Sequence, residues 1–350
     1  MGPVLAVWVN VASASYLRAA MVRLAVRPSV LGVGEPFRVV DLADWTRGES
    51  EPGGAEEKRW FTAPEASPHA GHWLFKPRRI KELTLSRERR ARGDAPDLLV
   101  RGEDWAEKIS YELARLINVP AAETELATVV RRFTGESVLG SISRDMRPAR
   151  WAWTPGAALL AERDDEFDSE SCVGHTLTAV VAVLARLKGP VGTEFADQPA
   201  FDVFAGYLVL DALIANTDRH AHNWGVLQNP STGALCLSPS FDHGSALSSG
   251  NGDSYRAERV KTAAVERWCS KGATKRFDGQ EAVGLIDLAV RALSLATQDA
   301  QRYWRQQIVG LDLHLCNDVI NAAPNLSDHT RTFVQIAVAT NRKRLLDDLH

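Results

Sequence analysis

The hydrophobic period of this chain changes near Pro148, and that change limits what it can fold into. Ahead of it, short apolar runs are broken by turn residues, as in strands. Residues 37–40, 58–62 and 72–76 read as strands, and 48–54 as loop, with Gly53 and Gly54 able to take positive φ. Residues 123–132 and 137–143 read as a hairpin around Thr134-Gly135-Glu136. A single helix interrupts these strands. Trp105, Ile109, Leu113 and Leu116 recur on one face of residues 104–117, and Asn118-Val119-Pro120 stops it. Past Pro148 the pattern is mostly helical. Residues 176–187 and 201–215 are strongly apolar, and Ser327 is an N-cap ahead of a stripe of Phe333, Ile336, Ala337 and Leu345. Residues 226–228 and 234–237 make a small hairpin. Strands followed by helices predict an α+β chain in two lobes. The expected organisation is an N-terminal extension over 1–35, a strand-rich lobe over 36–145 and a helical lobe over 146–350, with a ligand cleft between the lobes.

A formal net charge of −3 over 350 residues does not suggest a nucleic-acid binder. The four cysteines, Cys172, Cys236, Cys269 and Cys316, form no CxxC pair. That excludes a zinc ribbon or disulfide framework and leads us to expect a reducing, cytoplasmic setting. Residues 1–30 are rich in Ala and Val but lack a basic leader, and Asn10 and Arg18 interrupt them. They read as neither signal peptide nor membrane span, and Met21 is a second plausible start.

The chemistry gathers in Asn216-Thr217-Asp218-Arg219-His220-Ala221-His222-Asn223 and in Ser240-Phe241-Asp242-His243-Gly244. An aspartate, an asparagine five positions on, and a second aspartate beyond a short hairpin make a minimal kit for phosphoryl transfer from a nucleotide. Asp218 would accept the proton of the acceptor hydroxyl, and Asn223 and Asp242 would hold Mg²⁺ through oxygen. Asn216-Thr217-Asp218 is also ordinary turn chemistry. His220 and His222 with Asp218 and Asp242 could instead form a metallohydrolase centre, although His220 reads more readily as a loop histidine bonded to backbone and His222 as exposed. Lys76 ends an apolar strand, as a phosphate-contacting or merely solvated lysine would. Glu107 lies off the apolar stripe of its helix, either paired with Lys76 or solvated like Glu112, and Glu103 is its rival one turn earlier. The 53–58 loop, with Gly53, Gly54 and Lys58, could cover phosphates with backbone N–H groups, or be a plain turn. The basic run 76–92 reads as a solvated loop, with docking of a phosphate-bearing partner as the other option.

These segments resemble the HipA-like kinases, which carry N-T-D-x-H-x-x-N and then L-(A/S)-P-x-(Y/F)-D-x-G-(S/A)-x-L. The matching residues are Asn216-Thr217-Asp218-Arg219-His220 with Asn223, and the segment Leu237-Ser238-Pro239-Ser240-Phe241-Asp242-His243-Gly244. Gly54-Ala55-Glu56-Glu57-Lys58, Leu74-Phe75-Lys76-Pro77 and the helix bearing Glu107 resemble that family's phosphate loop, lysine strand and first helix. The resemblance implies a bilobal protein-kinase-like fold, ATP with Mg²⁺, and transfer to Ser or Thr hydroxyls of a protein. It implies Asp218 as base, Asn223 and Asp242 as metal ligands, and Lys76 on the phosphates, with Gly53, Gly54, Lys58, Glu107 and His220 around the nucleotide. An antitoxin-like or regulatory partner belongs to the same expectation. Many toxin members have Lys before the loop asparagine, where this chain has His222. Asp218-Arg219-His220-x-x-Asn223 is similar also to the loop of phosphoinositide kinases, so a phosphoinositide or small-molecule kinase of the same fold is an alternative, and a nucleotide-binding pseudokinase is a third possibility.

Overall fold

The computed structural model describes residues 35–50, 58–84, 95–131, 134–277 and 281–349, with Glu88 and Arg92. The extension expected over 1–35 lies outside them apart from Glu35, as do Gly53 and Gly54. The strand-rich lobe is a six-stranded sheet in the order β1-β7-β8-β4-β3-β2. Its strands are β1 (Val39–Asp41), β2 (Thr46–Ser50), β3 (Arg59–Ala63), β4 (Gly71–Pro77), β7 (Thr124–Val130) and β8 (Ser137–Arg144). Neighbours run antiparallel except β1 and β7, which are parallel. Gly135, at φ 69, turns β7 into β8, so the expected hairpin is present with Val130 opposite Ser137. The β2 strand takes in Gly48 to Ser50, which the sequence reads as loop, because pairing with β3 satisfies its backbone although every side chain is exposed. Leu42, Trp45, Phe61, Trp73, Phe75 and Ile142 form a small core on this sheet.

Two short strands pair antiparallel here: β5 (Ile80–Glu82), inside the stretch expected to be loop, and β6 (Leu98–Val100), just beyond it. Helix α1 (Glu103–Leu116) then packs on β7 and β8. Its stripe of Trp105, Ile109, Leu113 and Leu116 is buried, as its spacing predicts. Glu112 is buried too, which corrects its reading as a solvated residue. It takes the ammonium of buried Lys108 at 2.8 Å and Arg115 at 2.8 Å. Helix α1 shares one continuous hydrophobic core with the helical lobe, so the two lobes meet through it.

The helical lobe opens with β9 (Ala152–Pro155), a strand absent from the sequence reading. It becomes the third strand beside the predicted hairpin of β10 (Gly225–Gln228) and β11 (Leu235–Leu237). The helices are α2 (Gly156–Ala161), α3 (Leu177–Leu184), α4 (Ala200–Ile214), α5 (Asp253–Lys261), α6 (Val265–Ser270), α7 (Leu285–Leu295), α8 (Gln298–Val309), α9 (Leu313–Ala322) and α10 (Asp328–Asp348). A two-stranded piece, β12 (Ala273–Thr274) with β13 (Val283–Gly284), precedes α7. Every residue of α4 is buried, which suits a helix apolar all round. Gly206 lets α8 approach it, since a Cβ there would sit 2.2 Å from Trp304. Ser327 caps α10 by accepting from the Thr330 amide, and Phe333, Ala337 and Leu345 are buried, with Ile336 only partly so. Among the described residues no helix is long and apolar enough to cross a membrane. The four cysteines are free and buried.

Candidate active site

The loop bearing Asp218 is made by the way α4 ends. Ala215 takes φ 52, and the Asn216 amide bonds back to the Asp211 carbonyl at 2.8 Å. The chain therefore leaves the core helix abruptly. Asn216 Oδ1 accepts from the Asp218 amide at 3.2 Å, and the Asn223 side-chain amide donates to the Asp218 carbonyl at 2.8 Å. The turn chemistry seen in the sequence thus shapes the same loop that presents Asp218. Beneath it lies Arg219, 2 % exposed. Its guanidinium makes a two-point pair with Asp211, both bonds at 2.8 Å, and donates to the Asn223 carbonyl at 2.8 Å and Ser240 Oγ at 2.9 Å. Burial alone would lower the Arg219 pKa, and Asp211 reverses this and raises it. One buried cation therefore joins the helix, the Asp218 loop and the Asp242 segment.

Lys76 sits on β4 and faces Glu107 on α1. Its Nζ lies 2.7 Å from Glu107 Oε1 and 3.1 Å from Asp242 Oδ1. Glu107 is 2 % exposed, and its second oxygen accepts from the His243 amide at 3.0 Å. Of the two alternatives for Glu107, the paired one holds. The rival Glu103 is taken by Arg79 at 3.1 Å and Arg101 at 3.0 Å. Lys58 reaches Asp242 Oδ2 at 3.7 Å. Burial pushes the Lys76 ammonium toward neutrality, but Asp242 and Glu107 outweigh it and keep it charged. Burial likewise pushes the Asp242 carboxyl up, and Lys76 and Lys58 hold it well below the usual carboxylate range. Asp242 has φ 59, a left-handed conformation uncommon outside glycine that aims its carboxylate at the lysines.

A cleft of about 180 Å³ is lined by Lys58, Lys76, Glu107, Asp218, His220, Asn223 and Asp242 among others. Each of these side chains was singled out in the sequence. Because the Asn223 amide nitrogen is held by the Asp218 carbonyl, its Oδ1 points the other way. Asn223 and Asp242 offer oxygen donors suited to a hard cation that also takes water and phosphate ligands. His220 accepts from the His222 amide at 3.2 Å, and His222 is exposed. Burial lowers the His220 pKa, opposed by Asp218. Among the described residues, no three His, Cys, Asp or Glu side chains are grouped to hold a metal, so the histidine-rich hydrolase arrangement is not formed.

Sequence reasoning missed Arg276 and His175. Arg276 Nε lies 2.8 Å from Asp218 Oδ1, and Ser245 Oγ lies 3.4 Å from Oδ2. No local signal links residues 58 positions apart. His175 is fully buried between Trp224 and Phe277. Its Nε2 accepts from Trp224 Nε1 at 3.0 Å, so Nδ1 carries the proton and donates to the Arg276 carbonyl at 2.5 Å. Burial pushes its pKa down to about 4, opposed by the bond to the Arg276 carbonyl. Between its ordinary value and that one, the unfolded chain binds a proton that the folded chain refuses. Stability is therefore full above pH 6.5 and falls as pH drops toward 4, by about 3 kcal/mol from this group. His175→Gln is expected to flatten that slope in urea melts from pH 7 to 4; an unchanged slope would assign the acid sensitivity elsewhere.

No curated protein matches this chain. Among solved structures, the Helicobacter pylori proinflammatory kinase CtkA is 14% identical with a TM-score of 0.63, covering 89% of this chain and 98% of that one. HipA of Shewanella oneidensis, solved with HipB and operator DNA, is 13% identical with a TM-score of 0.43, covering 95% and 70%. The Golgi casein kinase is 13% identical with a TM-score of 0.44, covering 89% and 73%. The likeness to CtkA is one of fold, and it makes the α+β, two-lobed architecture a protein-kinase-like one. The family profile described as HipA-like C-terminal domain matches residues 50–310, most of the sheet and helices that surround the cleft, and the chain belongs to that family.

Proposed function

We propose that this protein is a Mg-ATP-dependent kinase that phosphorylates Ser or Thr hydroxyls of a protein. The carrying observation is the Lys76 ammonium held jointly by Glu107 at 2.7 Å and Asp242 at 3.1 Å, on the cleft that also contains Asp218 and Asn223. Lys76 would contact the α- and β-phosphates of a bound nucleotide. Asn223 and Asp242 would hold Mg²⁺, which supplies charge neutralisation at the phosphates when bound. Asp218 orients the acceptor hydroxyl and takes its proton. Lys58, the loop ahead of it with Gly53 and Gly54, and His220 complete the nucleotide-binding set in this proposal. The expected boundaries at 36–145 and 146–350 put the cleft at the junction of the lobes.

The lipid-kinase reading rests on the likeness of the Asp218-Arg219-His220-x-x-Asn223 loop; in the basic run that would have to face a membrane, Arg78 and Arg79 are already held by Asp104 at 2.6 Å and Glu103 at 3.1 Å. A pseudokinase would be expected to lack one of Lys76, Asp218, Asn223 or Asp242, and all four are present on the cleft. A regulatory, antitoxin-like partner belongs to the proposal on family membership alone.

Incubation with [γ-³²P]ATP and Mg²⁺ is expected to label the protein itself or a protein in a lysate. Label only on phosphoinositides would move the acceptor class, and no label anywhere would overturn the enzyme reading. Lys76→Met is expected to lower kcat/KM for ATP by about 10²-fold, as loss of one preorganised cationic donor does. An unchanged kcat/KM would remove Lys76 from the phosphate site.

A further inference from the structure

Arg276 is placed with unusual care for a side chain 40% exposed. Its backbone amide bonds to Thr274 Oγ1 at 3.0 Å, and that hydroxyl donates to the Thr217 carbonyl at 2.8 Å, next to Asp218. Its carbonyl accepts a hydrogen bond from Nδ1 of buried His175. The following residue, Phe277, is 1% exposed and stacks on His175 at 4.3 Å between ring centroids. The main chain is thus pinned on both sides while the guanidinium extends to Asp218 Oδ1 at 2.8 Å. The Asp218 carboxylate is itself part-exposed, at 29%. Ion pairs of this exposure are worth about 1 kcal/mol or less, so the arginine can change partners readily.

Arg276 reaches Asp218 from beside the cleft, whose own lining lysines and arginine have other carboxylates. Lys76 and Lys58 are on Asp242, and Arg79 is on Glu103. Among the described residues, the cation paired with Asp218 is Arg276. Phosphoryl transfer spreads charge over the equatorial oxygens of the transferring group, which lies next to that base. The acceptor oxygen lies about 2.6–3.2 Å from its base, and the reacting phosphorus about 3–3.5 Å beyond the acceptor oxygen. A guanidinium hydrogen-bonded to the base is therefore within one side-chain rotation of the group being transferred, and its planar fork matches two phosphoryl oxygens.

We propose that Arg276 is a further catalytic residue, an arginine supplied in cis that clamps Asp218 before the acceptor arrives and donates to the transferring phosphoryl group during reaction. This rests on the kinase reading above. In the balanced step, the acceptor oxygen forms a bond to the γ-phosphorus as the bond from that phosphorus to the β–γ bridging oxygen breaks. The hydroxyl proton passes to Asp218, and ADP leaves with the bridging oxygen. Arg276 exchanges no proton and forms no covalent bond. It shifts from Oδ1 of Asp218 toward the equatorial oxygens, which leaves Oδ1 free to take the proton.

The test is binding of Mg-ADP with and without aluminium fluoride, a planar mimic of the transferring group, followed by calorimetry. Wild type is expected to bind the Mg-ADP–aluminium fluoride pair more tightly than Mg-ADP. Arg276→Ala should lose that gain while keeping Mg-ADP affinity, and Arg276→Lys should recover part of it. In turnover, Arg276→Ala is expected to cut kcat by about 10²- to 10³-fold with KM for ATP unchanged. Retention of the aluminium fluoride gain in Arg276→Ala would overturn the proposal, as would an unchanged kcat. A parallel loss of Mg-ADP affinity in both variants would make Arg276 structural and also overturn it. If wild type itself neither binds Mg-ADP nor transfers phosphate, it is the kinase reading that fails.

Discussion

Asp218→Asn is expected to reduce kcat by about 10³-fold while leaving Mg-ATP binding nearly intact, because general-base help contributes on the order of 10²–10⁴ and the base is not a main binding group. The substitution keeps the shape of the side chain. The loop geometry survives it, since the Asn223 and Asn216 bonds run to the Asp218 backbone rather than its carboxylate. The neutral amide can no longer take a proton from the acceptor. Asp242→Ala provides the contrast. It removes a ligand proposed for Mg²⁺ and leaves Lys76 and Lys58 facing each other without their shared counter-charge. It is therefore expected to weaken Mg-ATP binding itself. Measuring KM for ATP and single-turnover rates in the two variants separates the roles. Equal loss of binding in both would show that Asp218 holds nucleotide rather than serving as base.

Arg219→Met is expected to destabilise the fold by about 3–5 kcal/mol, the usual loss when one partner of a buried ion pair is removed. Arg219 and Asp211 are 2% and 2% exposed, and the substitution would leave the Asp211 carboxylate in the core with only Asn216 as side-chain donor. It also removes the donor to the Asn223 and Phe241 carbonyls and leaves Ser240 Oγ with His243 alone, so both halves of the site lose their common support. The double variant Asp211→Leu with Arg219→Met should recover a large part of the stability, because no unpaired charge is left. It should not recover activity, since the two loops are no longer tied together. Urea melts and a labelling assay on the two variants test this. A loss below about 1 kcal/mol in the single variant would mean that water reaches the pair and screens it, as at a surface.

Much of the site was legible locally. Asp218 and Asn223 sit in one loop, and Asp242 follows after a hairpin whose turn residues are plain in the sequence, so their meeting depends on short-range geometry. The strand bearing Lys76 is recognisable as a short apolar run, and the helix bearing Glu107 from its 3.6-residue period. Whether Lys76 and Glu107 meet is another matter. An ammonium on a strand and a carboxylate off an apolar stripe look the same in sequence whether they are solvated or buried against each other. Glu112 illustrates the ambiguity, since it looked solvated and is buried with Lys108 and Arg115. Asp211 carries a signal of its own, a carboxylate in the second half of an otherwise strongly apolar stretch, which demands a buried partner. The short strand Ala152–Pro155 escaped notice because it gains its backbone partners only from a hairpin some seventy residues later, a contact that local propensity does not encode.

Hydrophobic periodicity by itself determined the strand-rich first half, the helical second half, the wholly buried α4 and the loop chemistry that follows it, because these depend on neighbours three or four residues away. Tertiary structure decided which charges share a space. It set Lys76 between Glu107 and Asp242, buried Arg219 under both loops, and brought Arg276 to Asp218 across 58 residues. An ion pair with its hydrogen bonds needs contact between its partners, and these come from separate elements, so their pairing is decided by how those elements pack.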